Sequence, residues 1–281
     1  MESTDILKKY YRVPGISIKL PSMGHFQPND NVRFTATGEV QVYPMRAADE
    51  MLLKSPDALM SGKALEEIIK SCAPDVKEPL DLPTPDFDAL LLAIRYSTYG
   101  RTMDVEATCP SCETENVYGF DLEGLLADIK PLEESYSVRL DDNVVVYVKP
   151  FNFRSSTIIS NNVFMETRKL HLLERNGVSE EERSFQVNES FKRLNHINIQ
   201  MVADSVEKVV VPEGEVTDRK AIIEFIQNVP KSFVTKIENK LKEINESGVQ
   251  KRHSVTCTKC NHEWETVIEF DPASFFVQSS S

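Results

Sequence analysis

The sequence predicts an α+β protein in which a split zinc ribbon carries a mainly helical insertion, and three observations predict it. Two C-x-x-C pairs, Cys109/Cys112 and Cys257/Cys260, sit in matching strand-like surroundings. The first hundred residues pass from short alternating stretches to amphipathic and apolar helical ones. The 144 residues between Cys112 and Cys257 then read mostly at helical period.

Composition bounds the reading before any element is placed. The chain has 281 residues, 41% of them hydrophobic, enough for one large domain or two modest ones with real cores. It has no 18-residue apolar run, and "MESTDILKKYYRVPG" lacks the apolar stretch of a signal peptide. A soluble protein made in a cytoplasm, with no membrane partner, is therefore expected. A net charge of −12 disfavours broad attraction to nucleic acid.

Residues 1–44 read as an N-terminal β arm. "GISIKLPS" and "NVRFTATGEVQVYPM" alternate apolar and polar residues, with Thr37-Gly38 as a hairpin turn. Residues 45–100 read as a helical segment. Ala47, Met51 and Leu52 recur at helical spacing, Ser55-Pro56-Asp57 breaks the run, and Leu65, Ile68, Ile69 and Cys72 resume it. Cys72 falls on an apolar face, as a core thiol does. A further apolar helix opens at Asp86 and offers Phe87, Leu90, Leu91 and Ile94 to a core.

Residues 101–128 and 251–276 read as the two halves of the ribbon. "VEATCPSCETENVYGFDLEGLL" and "HSVTCTKCNHEWETVIEFDPASFF" share the order strand, C-x-x-C turn, strand, Phe-Asp. Aligning the cysteines at an offset of 148 leaves Phe120-Asp121 and Phe270-Asp271 at 150, so a two-residue insertion is expected after the second knuckle.

A C-x-x-C turn between strands presents two thiolates from one side, and two facing turns complete a tetrahedron. One structural zinc is accordingly expected on Cys109, Cys112, Cys257 and Cys260. Thioredoxin-like redox chemistry needs a C-x-x-C at a helix start, which these β-rich flanks do not supply. His262 lies two residues past Cys260, but four thiolates leave it no vacancy. Trp264 fits a core or metal-shielding aromatic.

Residues 129–250 read as the insertion. It opens with a hairpin around Asp141-Asp142-Asn143, followed by helices near 156–175, 181–206, 218–227 and 231–244 and a short strand at Val209–Val211. Glu180-Glu181-Glu182 fits a solvated helix start.

Catalytic patterns are missing: no P-loop, G-x-S-x-G, H-E-x-x-H or G-x-G-x-x-G occurs, and His25, His171, His196, His253 and His262 sit in unrelated contexts. A non-enzymatic protein is expected. The rival class is a zinc-ribbon nucleic-acid-binding or transcription-associated module, for which only Lys251-Arg252-His253, Lys259 and Trp264 speak.

The run "ISIKLPSMGH…VQVYPMRAADEMLLKS" followed by "LDLPTPDFDALLLAIRYSTYGRTMDVEATCPSC" resembles the baseplate hub subunit family of T4-type contractile-tailed bacteriophages. The resemblance covers roughly residues 15–125. The long insertion and the complete second knuckle depart from shorter members. The resemblance implies a component of, or assembly chaperone for, the central hub of the tail baseplate. Its partners are then other tail or hub proteins, and it acts in the virion tail or in the host cytoplasm during assembly.

Overall fold

A computed structural model describes residues 10–55, 58–59, 61–175, 179–268 and 275–276 together with Leu7, with the side chains of 170–175 left out. The Pro56-Asp57 break, the His171 side chain and the Phe270-Asp271 pair lie outside the described residues. Helices and strands mix throughout, in the α+β class. None of the described helices is long and apolar enough to cross a membrane. The chain divides into two compact units, one of residues 1–132 with 246–281 and the other of residues 133–245.

In the first unit, β1 (Ile16–Ile18) pairs antiparallel with β2 (Val40–Val42), not with the stretch that precedes β2. That stretch folds into turns: Gly38 sits at φ +76, and the Gly38 N–H donates to the Thr35 carbonyl. The expected hairpin at Thr37-Gly38 is thus a local turn, and the partner strand comes from further upstream.

Two short helices follow, α1 (Ala47–Leu52) and α2 (Lys63–Cys72). Asp49, in the first turn of α1, is buried; it accepts from the Arg46 N–H at 2.8 Å and from the Ser71 hydroxyl at 2.8 Å. These bonds tie the start of α1 to the end of α2. On α2, Leu65, Ile68, Ile69 and Cys72 form one buried face, at the spacing that a 3.6-residue period requires. Burial pushes the Cys72 thiol up to about 11, so it stays protonated and unreactive.

The centre of this unit is α3 (Thr84–Tyr99), buried continuously from Pro85 to Arg95. A helix covered on every side needs apolar residues all round, and Phe87, Leu90, Leu91, Leu92, Ala93 and Ile94 supply them. Pro85 suits the first turn, where its missing N–H has no intrahelical role. Gly100, at φ +93, ends the helix in a conformation that strains any residue with a Cβ. Arg95 is buried near its end, donating to the Phe275 carbonyl, with its guanidinium 5.4 Å from the Phe275 ring centre.

Two aspartates in the first turns of α3 hold incoming chain. Asp86 does not cap its own helix; it accepts from the backbone N–H of Ser22 at 2.7 Å and from the Ser22 hydroxyl. Asp88 forms an ion pair with Lys251, just before the second cysteine hairpin. Close by, the Lys130 N–H donates to the Gly248 carbonyl and the Leu132 N–H to the Pro21 carbonyl. Gly248 has φ +91, and a Cβ there would stand 3.0 Å from the Pro85 side chain. Only glycine allows the returning chain this close to α3.

Burial pushes Asp86 up to about 7, against the opposing hydrogen bonds from Ser22. An unfolded aspartate titrates near 3.9. Since the folded value is the higher, the group favours folding fully below about pH 4, and this contribution is lost as pH rises towards 7. The difference corresponds to something on the order of 4 kcal/mol. Asp86→Asn is expected to flatten the dependence of stability on pH between about 4 and 7, read by urea unfolding across that range.

The second unit is built on an antiparallel sheet in the order β5-β6-β7-β8, from Tyr136–Arg139, Val145–Val148, Val206–Val211 and Gly214–Val216. Tyr136, Val138, Val146, Val148, Val206 and Val209 are its buried residues. Helices α7 (Arg219–Asn228) and α8 (Lys231–Asn245) cover it through Ile222, Ile226, Ile237, Leu241 and Ile244. The insertion is mainly helical, and its opening hairpin β5-β6 is extended by β7 and β8 into a four-stranded sheet. The strand expected at Val209–Val211 starts at Val206 and lies inside the sheet.

Between β6 and β7 runs a pair of contacting helices, α5 (Phe153–Arg175) and α6 (Glu180–Asp204). Ser179 caps α6 by accepting from the Glu182 N–H. The hydrogen bonds described between them centre on one carboxylate. Glu166 of α5 is buried and accepts from Ser190 at 2.7 Å and from Arg193 through two bonds of 3.0 Å. These bonds, led by Arg193 and joined by Lys169, hold the Glu166 carboxyl at about 2. Large apolar residues point outward instead, among them Ile158, Phe164, Met165, Phe185 and Phe191.

Candidate metal centre

The first cysteine hairpin joins β3 (Thr102–Thr108) to β4 (Glu115–Asp121), which leads into the short helix α4 (Leu122–Ala127), and the second joins β9 (Arg252–Thr256) to β10 (Glu263–Val267). Both are antiparallel, and their registers coincide when the first is moved along by 148 residues. Thr108 faces Glu115, and Thr256 faces Glu263. The turns repeat bond for bond. Cys109 N–H donates to Thr114 and Cys257 N–H to His262, each at 2.9 Å, while Glu113 and Asn261 donate back to the cysteine carbonyls.

Glu113 and Asn261 take the same left-handed φ, +57 and +56. The offset stays at 148 through Val267, so the hairpin contains no two-residue insertion after its knuckle, and Ile268 stands where Phe120 does in the first copy.

The two turns bring four sulfurs together. Cys109 Sγ lies 3.7 Å from Cys260 Sγ, and Cys112 Sγ lies 3.6 Å from Cys257 Sγ. All four lie within 4.8 Å of one another, and they are the one group of this kind among the described residues. A tetrahedron with metal–sulfur bonds of about 2.3 Å has edges of about 3.8 Å. The spacing therefore fits a metal ion, and four thiolates would fill its shell with no position open to substrate or water.

The sulfurs differ in their electrostatic surroundings. The backbone N–H of Cys260 pulls Cys257 down to about 6 against partial desolvation, and the Lys259 N–H, 3.4 Å from the sulfur, adds to this. At Cys260 the His262 backbone lowers the thiol, but the Cys112 thiol and desolvation outweigh it and push it up to about 12. Four thiolates this close repel one another unless a cation joins them, and a divalent ion supplies that charge.

Residues around the cluster hold the hairpins face to face. Asn116 is buried: its amide nitrogen lies 3.8 Å from Cys257 Sγ and donates to the Thr114 carbonyl, and its oxygen accepts from the Thr258 N–H and hydroxyl. Tyr118 donates its hydroxyl to the Thr256 carbonyl, and its ring meets Trp264 edge to face at 6.0 Å. Phe120 packs on His253 at 4.9 Å. These contacts hold the two cysteine turns together and add no further ligand to the four sulfurs.

His262 is exposed and stacks on Trp264 at 6.2 Å, outside the sulfur cluster. His25, His196 and His253 do not join it either. Sequence reasoning missed Asn116, although the alternation of β4 puts it in phase with Tyr118 and Phe120, on the inward face.

Neither the curated proteins nor the solved structures contain a match to this chain. The family model for the T4 bacteriophage base plate protein does match, over residues 14–277. That span extends well past residues 15–125 and takes in all four cysteines and the whole of 133–245. The chain therefore belongs to the T4 bacteriophage base plate protein family.

Proposed function

We propose that this protein is a non-enzymatic component or assembly chaperone of the central hub of a contractile-tail baseplate, acting by binding other tail proteins and stabilised by one structural zinc. The observation that carries the reading is the family match from residue 14 to 277. The site argues for the zinc: sulfur spacings of 3.6 and 3.7 Å suit it, and an all-thiolate set suits zinc far better than calcium or magnesium.

On this reading, residues 101–128 and 251–276 form a zinc ribbon that closes the first unit across the long excursion. The arm 1–44 and helical segment 45–100 supply its core, and the insertion 129–250 supplies surface for partners. A filled four-thiolate shell offers no reactive position, so the metal acts as a staple. The protein works in the tail baseplate, or in the host cytoplasm while the tail is assembled. Co-expression with the hub and central-spike proteins of the same phage tests this: a stable complex on gel filtration is expected, and separate elution of every pair would remove the hub assignment.

A further inference from the structure

We infer that the outer face of α6 is a self-complementary surface through which two copies of this chain pair, their α6 helices antiparallel about a two-fold axis. The face is defined by Glu181, Phe185, Asn188 and Lys192, spaced 4, 3 and 4 residues apart, which places them along one side of a helix. All four are exposed; Phe185 is 63% exposed, and the Lys192 side chain 75%. The side turned towards α5 is marked by Ser190, which is buried and bonded to Glu166, so the stripe lies away from the α5 contact.

The order of the four residues selects the occupant. With a two-fold axis between positions 186 and 187, Glu181 of each copy faces Lys192 of the other, and Phe185 faces Asn188. Opposite charges meet twice with no like-charged pair on the stripe. The two Phe185 side chains then stand about 4.5 Å apart along the helix direction, within reach of each other. The stretch 153–204 has seven Lys/Arg and seven Asp/Glu, so it is neutral in a chain of net −12, and charge does not oppose the meeting of two copies there.

Lys192 bonds to Glu189 at 2.9 Å, an exposed pair three residues apart that is readily exchanged for Glu181 of the second copy. A single helix crossing buries less than the roughly 1,200 Å² of a standard interface, so the dimer is a weak one.

Sedimentation equilibrium of the full chain from about 5 to 500 µM, a range suited to weak association, tests the proposal. A monomer–dimer equilibrium is expected. Phe185→Asp should abolish it. Glu181→Lys and Lys192→Glu should each weaken it by about tenfold or more, because each creates two like-charged contacts per dimer. The double variant Glu181→Lys/Lys192→Glu restores the complementarity and should recover dimerisation, an outcome that damage to the fold cannot mimic; circular dichroism checks that each variant keeps its helix content. A monomer at every concentration overturns the proposal. So does a dimer indifferent to these substitutions, or a double variant no better than the singles. If Phe185 proves essential only for binding another tail protein, the second copy is the wrong occupant.

Discussion

Cys257→Ser is expected to lower the metal content of the purified protein from one zinc per chain to near zero and to loosen the first unit. Cys257 is buried, it is 3.6 Å from Cys112 Sγ, and it receives the backbone N–H of Lys259. A serine there replaces a thiolate by a neutral hydroxyl, which is a poor zinc ligand. Structural zinc contributes on the order of 10 kcal/mol in small zinc-folded peptides, and the core around α3 reduces the consequence here. A fall in melting temperature of about 10 °C or more is expected.

Cys72→Ser is the control. Cys72 is buried on α2, apart from the cluster, and zinc content should not change. Zinc lost there as well would show that the ligand assignment is wrong. Because thiols must lose protons to bind the metal, retention of zinc should weaken as pH falls, and elemental analysis after dialysis at graded pH reads this directly.

Lys251→Met is expected to cost about 3–5 kcal/mol, the range for stranding one charge of a buried pair. Its partner Asp88 has a side chain only 8% exposed, against 27% for Lys251. Burial already pushes the Asp88 carboxyl up, and Lys251 is what opposes this. Removing the lysine leaves the carboxylate to be protonated or to draw in water. Asp88→Asn/Lys251→Met removes both charges and should recover most of the loss, as buried pairs often do. Chemical denaturation of the single and double variants measures the coupling, and a double variant as unstable as Lys251→Met would contradict it.

The cysteine site was the most legible part of the sequence, because the two C-x-x-C turns carry their geometry locally: two residues between thiols, flanked by strands, with a residue at positive φ closing each turn. Helix α2 was legible for a similar reason, since Leu65, Ile68, Ile69 and Cys72 mark one face. What the sequence hid depends on contacts between distant residues. Nothing near Asp86 shows that it receives Ser22, and nothing near Asp88 announces Lys251.

The four-stranded sheet of the second unit was partly hidden for the same reason. Val206–Val211 directly follows a 25-residue helix, and its neighbours β6 and β8 are separate stretches whose pairing is set by tertiary contact. Glu166 is the opposite case. A lone glutamate in a helical run reads as solvated, and only the structure places Ser190 and Arg193 around it.

Deletion of the gene in the phage that encodes this chain tests the assembly role most directly, with lysates scored by electron microscopy for heads and tails. Normal heads without functional tails are expected, with tails restored when the intact gene is supplied and not when the Cys257→Ser form is. Complete, infectious tails in the absence of the gene would contradict it.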